Sequence, residues 1–129
     1  MHLRIIPIFK GAEFYGQEFN YLGFTSQDDE TYPIMDHFED VFTFIEDARV
    51  ADGKCLIHCM AGVNRSGALA VAYVMVHRDI SPVAATKLVL KARGMILSNG
   101  SFVEQLISLA SQRGLLGKHS GENEACEVL

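Results

Sequence analysis

The stretch Cys55-Leu-Ile-His-Cys59-Met-Ala-Gly-Val-Asn-Arg65-Ser-Gly-Ala-Leu-Ala-Val-Ala-Tyr-Val-Met-Val-His77 decides how this chain folds. Ala51-Asp52-Gly53-Lys54 turns the chain ahead of it, and Cys55 to His58 then has the composition of a short buried strand. From Ser66 to His77 the residues are apolar nearly all round, as in a helix packed inside a domain rather than on its surface. Between strand and helix lies a loop that opens on Cys59 and closes on Arg65.

Working outward, Asp36 to Val50 sets Phe38, Val41, Phe42, Ile45 and Ala48 at helical spacing between acidic residues, with Asp36 placed to cap the start. Leu3–Phe9 and Phe19–Phe24 are rich in aromatic and branched residues and read as short strands joined by residues 11–18. Thr25 to Tyr32 is polar without periodicity and reads as a surface loop. Downstream, Ser81-Pro82 gives an N-cap and a first-turn proline for a helix to about Arg93, and Asn99 can start a last helix through Gln112. The expected fold is α/β, a small central sheet flanked by helices, with one domain over residues 1–116 and a polar, flexible tail over 117–129.

The bulk properties narrow the function. A chain of 129 residues with 49% hydrophobic content suits one core, and a net charge of −5 argues against holding nucleic acid or anionic lipid by bulk electrostatics. Any anion must be bound locally. Three cysteines with no framework spacing and no signal peptide point to a reducing compartment, cytoplasmic or nuclear, in which a thiol stays reactive. No metal cluster, nucleotide loop or other cofactor motif is present in the sequence.

The loop from His58 to Gly67 has the chemistry for such an anion. A tight turn running into a helix N-terminus offers backbone N–H groups and the positive end of the helix dipole, and Gly62 lets the backbone bend and approach closely. Met60, Ala61, Gly62, Val63 and Asn64 would wrap a phosphate, and Arg65 can hold two of its oxygens with one planar fork. The same positive field favours a thiolate at Cys59, the useful nucleophile. His58 would lie under the loop and fix its geometry, and Ser66 can donate its hydroxyl to the sulfur as a thiolate departs. The plainer alternative is a strand-end core cysteine beside a helix-terminal charge.

Cys59 through Arg65-Ser66 resembles the Cys-x5-Arg-Ser/Thr signature of cysteine-dependent phosphatases, with His58 and Gly62 also at pattern positions. The similarity extends from about Phe14 to Leu116. It includes Tyr21-Leu-Gly-Phe24, His37-Phe38, the apolar helix and Ala92-Arg93-Gly-Met-Ile-Leu-Ser-Asn99-Gly-Ser-Phe102, and is nearest the atypical dual-specificity phosphatases. That resemblance implies a metal-independent hydrolase acting on phosphotyrosine and phosphoserine or phosphothreonine in proteins through a phosphocysteine. It also implies an aspartic general acid on the loop after the Tyr21 strand. Ungapped counting from Tyr21 to Phe38 puts that acid at Asp28, with Asp29 its competitor. Asn99 matches an asparagine that supports the phosphate loop, with an N-cap as its other role; Arg93 is either such a support or a solvated helix-end charge.

Several residues depart from the family pattern. Ser98 and Gly94 stand where prolines are usual, and only Met1 to Glu13 occupies the place of a strand and helix that normally precede the Tyr21 strand. A shortened, marginally stable form with reduced activity is therefore expected. Asn64 stands where serine or a basic residue is common, and asparagine there is familiar in RNA 5′-triphosphatases of the superfamily. An RNA-directed reading and a non-catalytic phosphoprotein-binding module are the alternatives. Nucleic acid is not an expected partner, and the loop lacks the lysines of phosphoinositide phosphatases. Cys55 reads as a core cysteine. Cys126-Glu-Val-Leu129 satisfies a prenylation signal, but the tail before it is acidic, so no stable membrane association is expected unless Cys126 is modified.

Overall fold

The computed structural model describes residues 2–6 by their backbone, and residues 20–60, 64–94 and 96–118 in full. Three strands form one parallel sheet: β1 (His2–Ile6), β2 (Tyr21–Thr25) and β3 (Leu56–His58), in the order β2-β1-β3. The first strand is thus central. In register, Arg4 lies between Gly23 of β2 and His58 of β3. β1 begins one residue before the stretch expected at 3–9, of which 7–9 lie outside the described residues, and β2 runs over 21–25 rather than 19–24. Parallel pairing requires a crossover between strands. From β2 to β3 it is made by helix α1 (Phe38–Val50).

Asp36 does not cap α1. It sits inside a 3-10 turn over Ile34–His37, and the helix follows directly from His37 with no side-chain cap. Ile34 is wholly buried, and anchoring it inside winds the approach to the helix a turn early. β3 is also shorter than expected, and Leu56 at its start is exposed.

Helix α2 (Arg65–Arg78) is the hub. Its Leu69, Val71, Ala72, Val74 and Met75 are buried on all sides, matching the absence of a polar face in the sequence. One side packs on α3 (Pro82–Arg93) and α4 (Gly100–Gln112) through Val89, Leu106 and Leu109. The other joins Val41 and Ile45 of α1, Ile34, Phe102 and Cys59 itself. Gly67 matters here. A Cβ at that position would lie 3.1 Å from Ile96 Cβ, so the glycine lets the first turn of α2 press against the 96–99 segment.

Ser81 caps α3 by accepting from Ala84 N–H, and Asn99 caps α4 by accepting from Phe102 N–H. After α4 the chain stays attached to the rest of the fold as far as Lys118. Leu115 is buried, Lys118 accepts from Ser81 N–H through its carbonyl, and its ammonium pairs with Asp79 at 2.9 Å. Residues 119–129, with Cys126, lie outside the described residues, as do Ala61, Gly62 and Val63 of the loop.

Candidate active site

β3 and α2 deliver the two ends of the loop to one place. Cys59 follows the last residue of β3 with 7% of its surface exposed, and its sulfur is 3.3 Å from the hydroxyl of Ser66 in the first turn of α2. Ser66 is 2% exposed, so water does not compete for that contact. His58 is half-buried at the end of β3, and Met60 is exposed on the rim.

Arg65 is buried despite its charge. One terminal nitrogen donates to the carbonyl oxygen of Ser26 at 3.0 Å, while among the described residues its Nε has no acceptor. Ser26 is 1% exposed and its hydroxyl likewise has no partner among the described residues. The expected surface loop thus has a buried anchor: Thr25 belongs to β2 and Ser26 plugs in beneath the arginine. A buried cation with an unused donor is costly unless a ligand supplies the acceptor.

The two candidate aspartates are held differently. Asp29 Oδ1 accepts from Thr31 N–H (2.8 Å), Thr31 Oγ1 (2.9 Å) and Tyr32 N–H (2.9 Å). This turn holds its carboxyl below the usual range, chiefly through the bonds from Thr31, so Asp29 stays ionised and serves the loop. Asp28 reaches the loop between β3 and α2. Its Oδ2 accepts from Asn64 Nδ2 at 2.8 Å and its Oδ1 from Asn99 Nδ2 at 2.9 Å. Asn99 also donates to the Asp29 carbonyl at 3.0 Å; of its two expected roles it fills the N-cap of α4, and its amide ties down the acidic loop, a role that the sequence did not suggest.

The base of the acidic loop is pinned by residues without an expected role at the site. Tyr32 donates its hydroxyl to the Thr25 carbonyl and lies 2.6 Å from His37 Nε2, while His37 stacks on Phe24. Burial pushes the His37 imidazole below its ordinary pKa, against the pull of Asp36 and Asp40. From α4, Gln105 donates to the Tyr32 carbonyl and accepts from Met35 N–H. Only the loop's polarity was visible in sequence. Arg93 is exposed at the end of α3, the solvated alternative of its two readings.

A family model described as "Dual specificity phosphatase, catalytic domain" matches residues 8–112. The chain belongs to the dual specificity phosphatase family. Dual specificity protein phosphatase 19 of Mus musculus is 37% identical over 89 residues, 69% of this chain and 40% of the relative. Dual specificity protein phosphatase 26 of Homo sapiens is 37% identical over 95 residues, covering 73% of this chain and 44% of the relative. The chain therefore spans less than half the length of each of these two relatives. Among solved structures, the human tyrosine phosphatase-like serine/threonine/tyrosine-interacting protein superposes with a TM-score of 0.79 at 29% identity, over 87% of this chain and 77% of that one. Human DUSP28 gives the same TM-score at 26% identity, over 88% and 75%. The dual-specificity-like α/β fold follows from these superpositions. Among the described residues, no group of three or more His, Cys, Asp or Glu is arranged to hold a metal ion, and no helix is long and apolar enough to cross a membrane.

Proposed function

We propose that this dual specificity phosphatase hydrolyses phosphate monoesters on proteins, phosphotyrosine as well as phosphoserine and phosphothreonine, through a phosphocysteine on Cys59. The observation that carries the reading is the buried guanidinium of Arg65, whose Nε lacks an acceptor among the described residues beside the Cys59–Ser66 contact. A substrate phosphoryl group is the acceptor that this donor and the N-terminus of α2 would share. Asn64, at the N-cap position, does not turn its side chain back onto α2, so the first-turn amides are left uncapped by it.

In the first step the Cys59 thiolate attacks phosphorus in line, the S–P bond forming as the P–O bond breaks, and Asp28 transfers its proton to the departing oxygen. In the second, Asp28 as carboxylate takes a proton from water as the water oxygen attacks phosphorus. The S–P bond breaks, and the Ser66 hydroxyl donates to the thiolate that leaves. Arg65 and the loop amides hold the phosphoryl oxygens in both steps.

Asn64, the residue behind the RNA 5′-triphosphatase alternative, has its amide engaged by Asp28 and the 98–99 segment; the net charge of −5 speaks for the protein substrate. A cytoplasmic or nuclear setting suits the thiol chemistry. Hydrolysis of an aryl phosphate and of phosphotyrosine and phosphothreonine peptides by wild type, abolished in Cys59→Ser, is the expected result. Equal background rates for the two proteins would leave only a binding module.

A further inference from the structure

Two residues that depart from the family pattern, Asn64 and Ser98, are 34 positions apart in sequence and meet in space. Ser98 Oγ donates to Asn64 Oδ1 at 3.1 Å, and the backbone N–H of Asn99 donates to the same oxygen at 3.0 Å. With its oxygen anchored by these two donors, the Asn64 amide can present only its Nδ2 to Asp28, which it reaches at 2.8 Å. A serine at 64 could not span both partners, and a proline at 98 would remove the hydroxyl. Leu97, immediately before Ser98, has φ +60, in the left-handed region that costs a non-glycine residue free energy. Strain next to a site, on a segment pressed onto α2 at Gly67, indicates that the surroundings hold it there for a reason.

We propose that Asn64 is a positioning residue for the general acid, anchored by Ser98, and that this amide clasp sets the enzyme's ability to expel poor leaving groups. This rests on the phosphatase reading with Asp28 as acid. Asn64 adjoins Arg65, so holding Asp28 through Asn64 fixes the carboxyl relative to the group that would grip the phosphate. The acidic loop is then in place before substrate arrives, and no loop closure has to precede protonation. Esters whose oxygen departs unaided gain little from this. Phenyl, seryl and threonyl esters, whose leaving oxygen needs the proton, gain the most.

The test compares phenyl phosphate with 2,4-dinitrophenyl phosphate, whose leaving group needs no proton, in wild type, Asn64→Asp, Ser98→Ala and Asp28→Asn. Asn64→Asp keeps the anchored oxygen and the side-chain shape but replaces the donor facing Asp28 by an acceptor, and Ser98→Ala removes one of the two donors to that oxygen while leaving the Asn99 N–H. Thermal melts establish that each variant is folded. For Asn64→Asp the ratio of kcat/KM on the dinitrophenyl ester to kcat/KM on the phenyl ester, which reports the first step alone, rises about tenfold, as expected for losing a hydrogen bond to the carboxylate that forms as Asp28 gives up its proton. Its pH profile on the phenyl ester moves to higher pH, because a second carboxylate beside Asp28 disfavours ionisation. Ser98→Ala changes the ratio in the same direction by a smaller factor. Placed on Asp28→Asn, the Asn64→Asp substitution changes the ratio no further.

Equal losses on both esters, or an unmoved pH profile, overturn the clasp while leaving the phosphatase reading intact. An Asp28→Asn protein whose kcat/KM shows no leaving-group dependence overturns Asp28 as the acid, and the clasp with it. Wild type inactive on both esters overturns the function and this inference together.

Discussion

Replacing Ser66 by alanine should split the two chemical steps. The Ser66 hydroxyl lies 3.3 Å from the Cys59 sulfur, and both residues are shielded from solvent, so no water replaces the lost donor. A hydrogen bond to a charged partner contributes about 1.5–3 kcal/mol, which corresponds to roughly 10- to 150-fold in rate if it acts only when the sulfur carries charge. In the phosphocysteine the sulfur is neutral, and it regains charge as the intermediate breaks down. Removing the donor therefore slows breakdown by that factor. Formation changes much less, because the free thiolate that attacks has lost the same donor. The loss of one buried hydroxyl from a helix that packs on all sides costs about 1 kcal/mol of stability at most. Stopped-flow release of an aryl alcohol from Ser66→Ala should show a burst equal to the enzyme concentration followed by a slow steady state. A variant that loses the first turnover as much as the later ones, with no burst, would refute this role, as would an unchanged kcat.

Asp28→Asn should lower turnover of phenyl phosphate by about 10²-fold, whereas Asp29→Asn, which retains the acceptor for Thr31 and Tyr32, should keep it within several-fold; the reverse order would reassign the acid. Gly67→Ala would set a Cβ 3.1 Å from Ile96 Cβ and should lower Tm by several degrees, an overpacking penalty of about 1–3 kcal/mol exceeding the gain of about 1 kcal/mol in helix propensity; a raised Tm would contradict that close approach. Away from the site, Glu46 accepts from Arg49, from the Tyr73 hydroxyl at 2.8 Å and from His77 at 2.9 Å, and these bonds, Arg49's first, hold its carboxyl at about 2. Because the folded-state pKa is depressed, the stabilisation is complete above about pH 4.5 and is lost as pH falls toward 2. Glu46 is 22% exposed and Arg49 more so, so solvent screening reduces the effect to about 1 kcal/mol; denaturant melts should show Glu46→Gln destabilised by that amount at pH 7 and converging with wild type at pH 2, and curves that stay parallel would refute it.

The sequence was most informative where one residue type has one use. The continuous apolar surface of α2, the Ser81-Pro82 start of α3 and the Asn99 start of α4 were all legible, because a buried helix and a cap each require particular side chains. Asp36 misled because an acidic residue before a helical pattern has the form of a cap, while burial of Ile34 decided the geometry. Ser26 was assigned to a surface loop because its neighbours are polar; nothing local says that its carbonyl must meet Arg65. The central position of β1 depends on pairing between strands far apart in the chain, which hydropathy along one segment does not encode. Asn64 was the clearest limit. As a single substitution it suggested a different substrate, and only its contacts with Asp28 and with Ser98, another departure, join it to the acidic loop.

The nucleophile is tested most directly by trapping it. Mixing the protein with an aryl phosphate for milliseconds, quenching in acid and analysing the peptides by mass spectrometry should find one phosphoryl group on the peptide containing Cys59. Its amount should increase in Ser66→Ala and vanish in Cys59→Ser. Undiminished hydrolysis by Cys59→Ser, or phosphate trapped on another residue, would contradict the account.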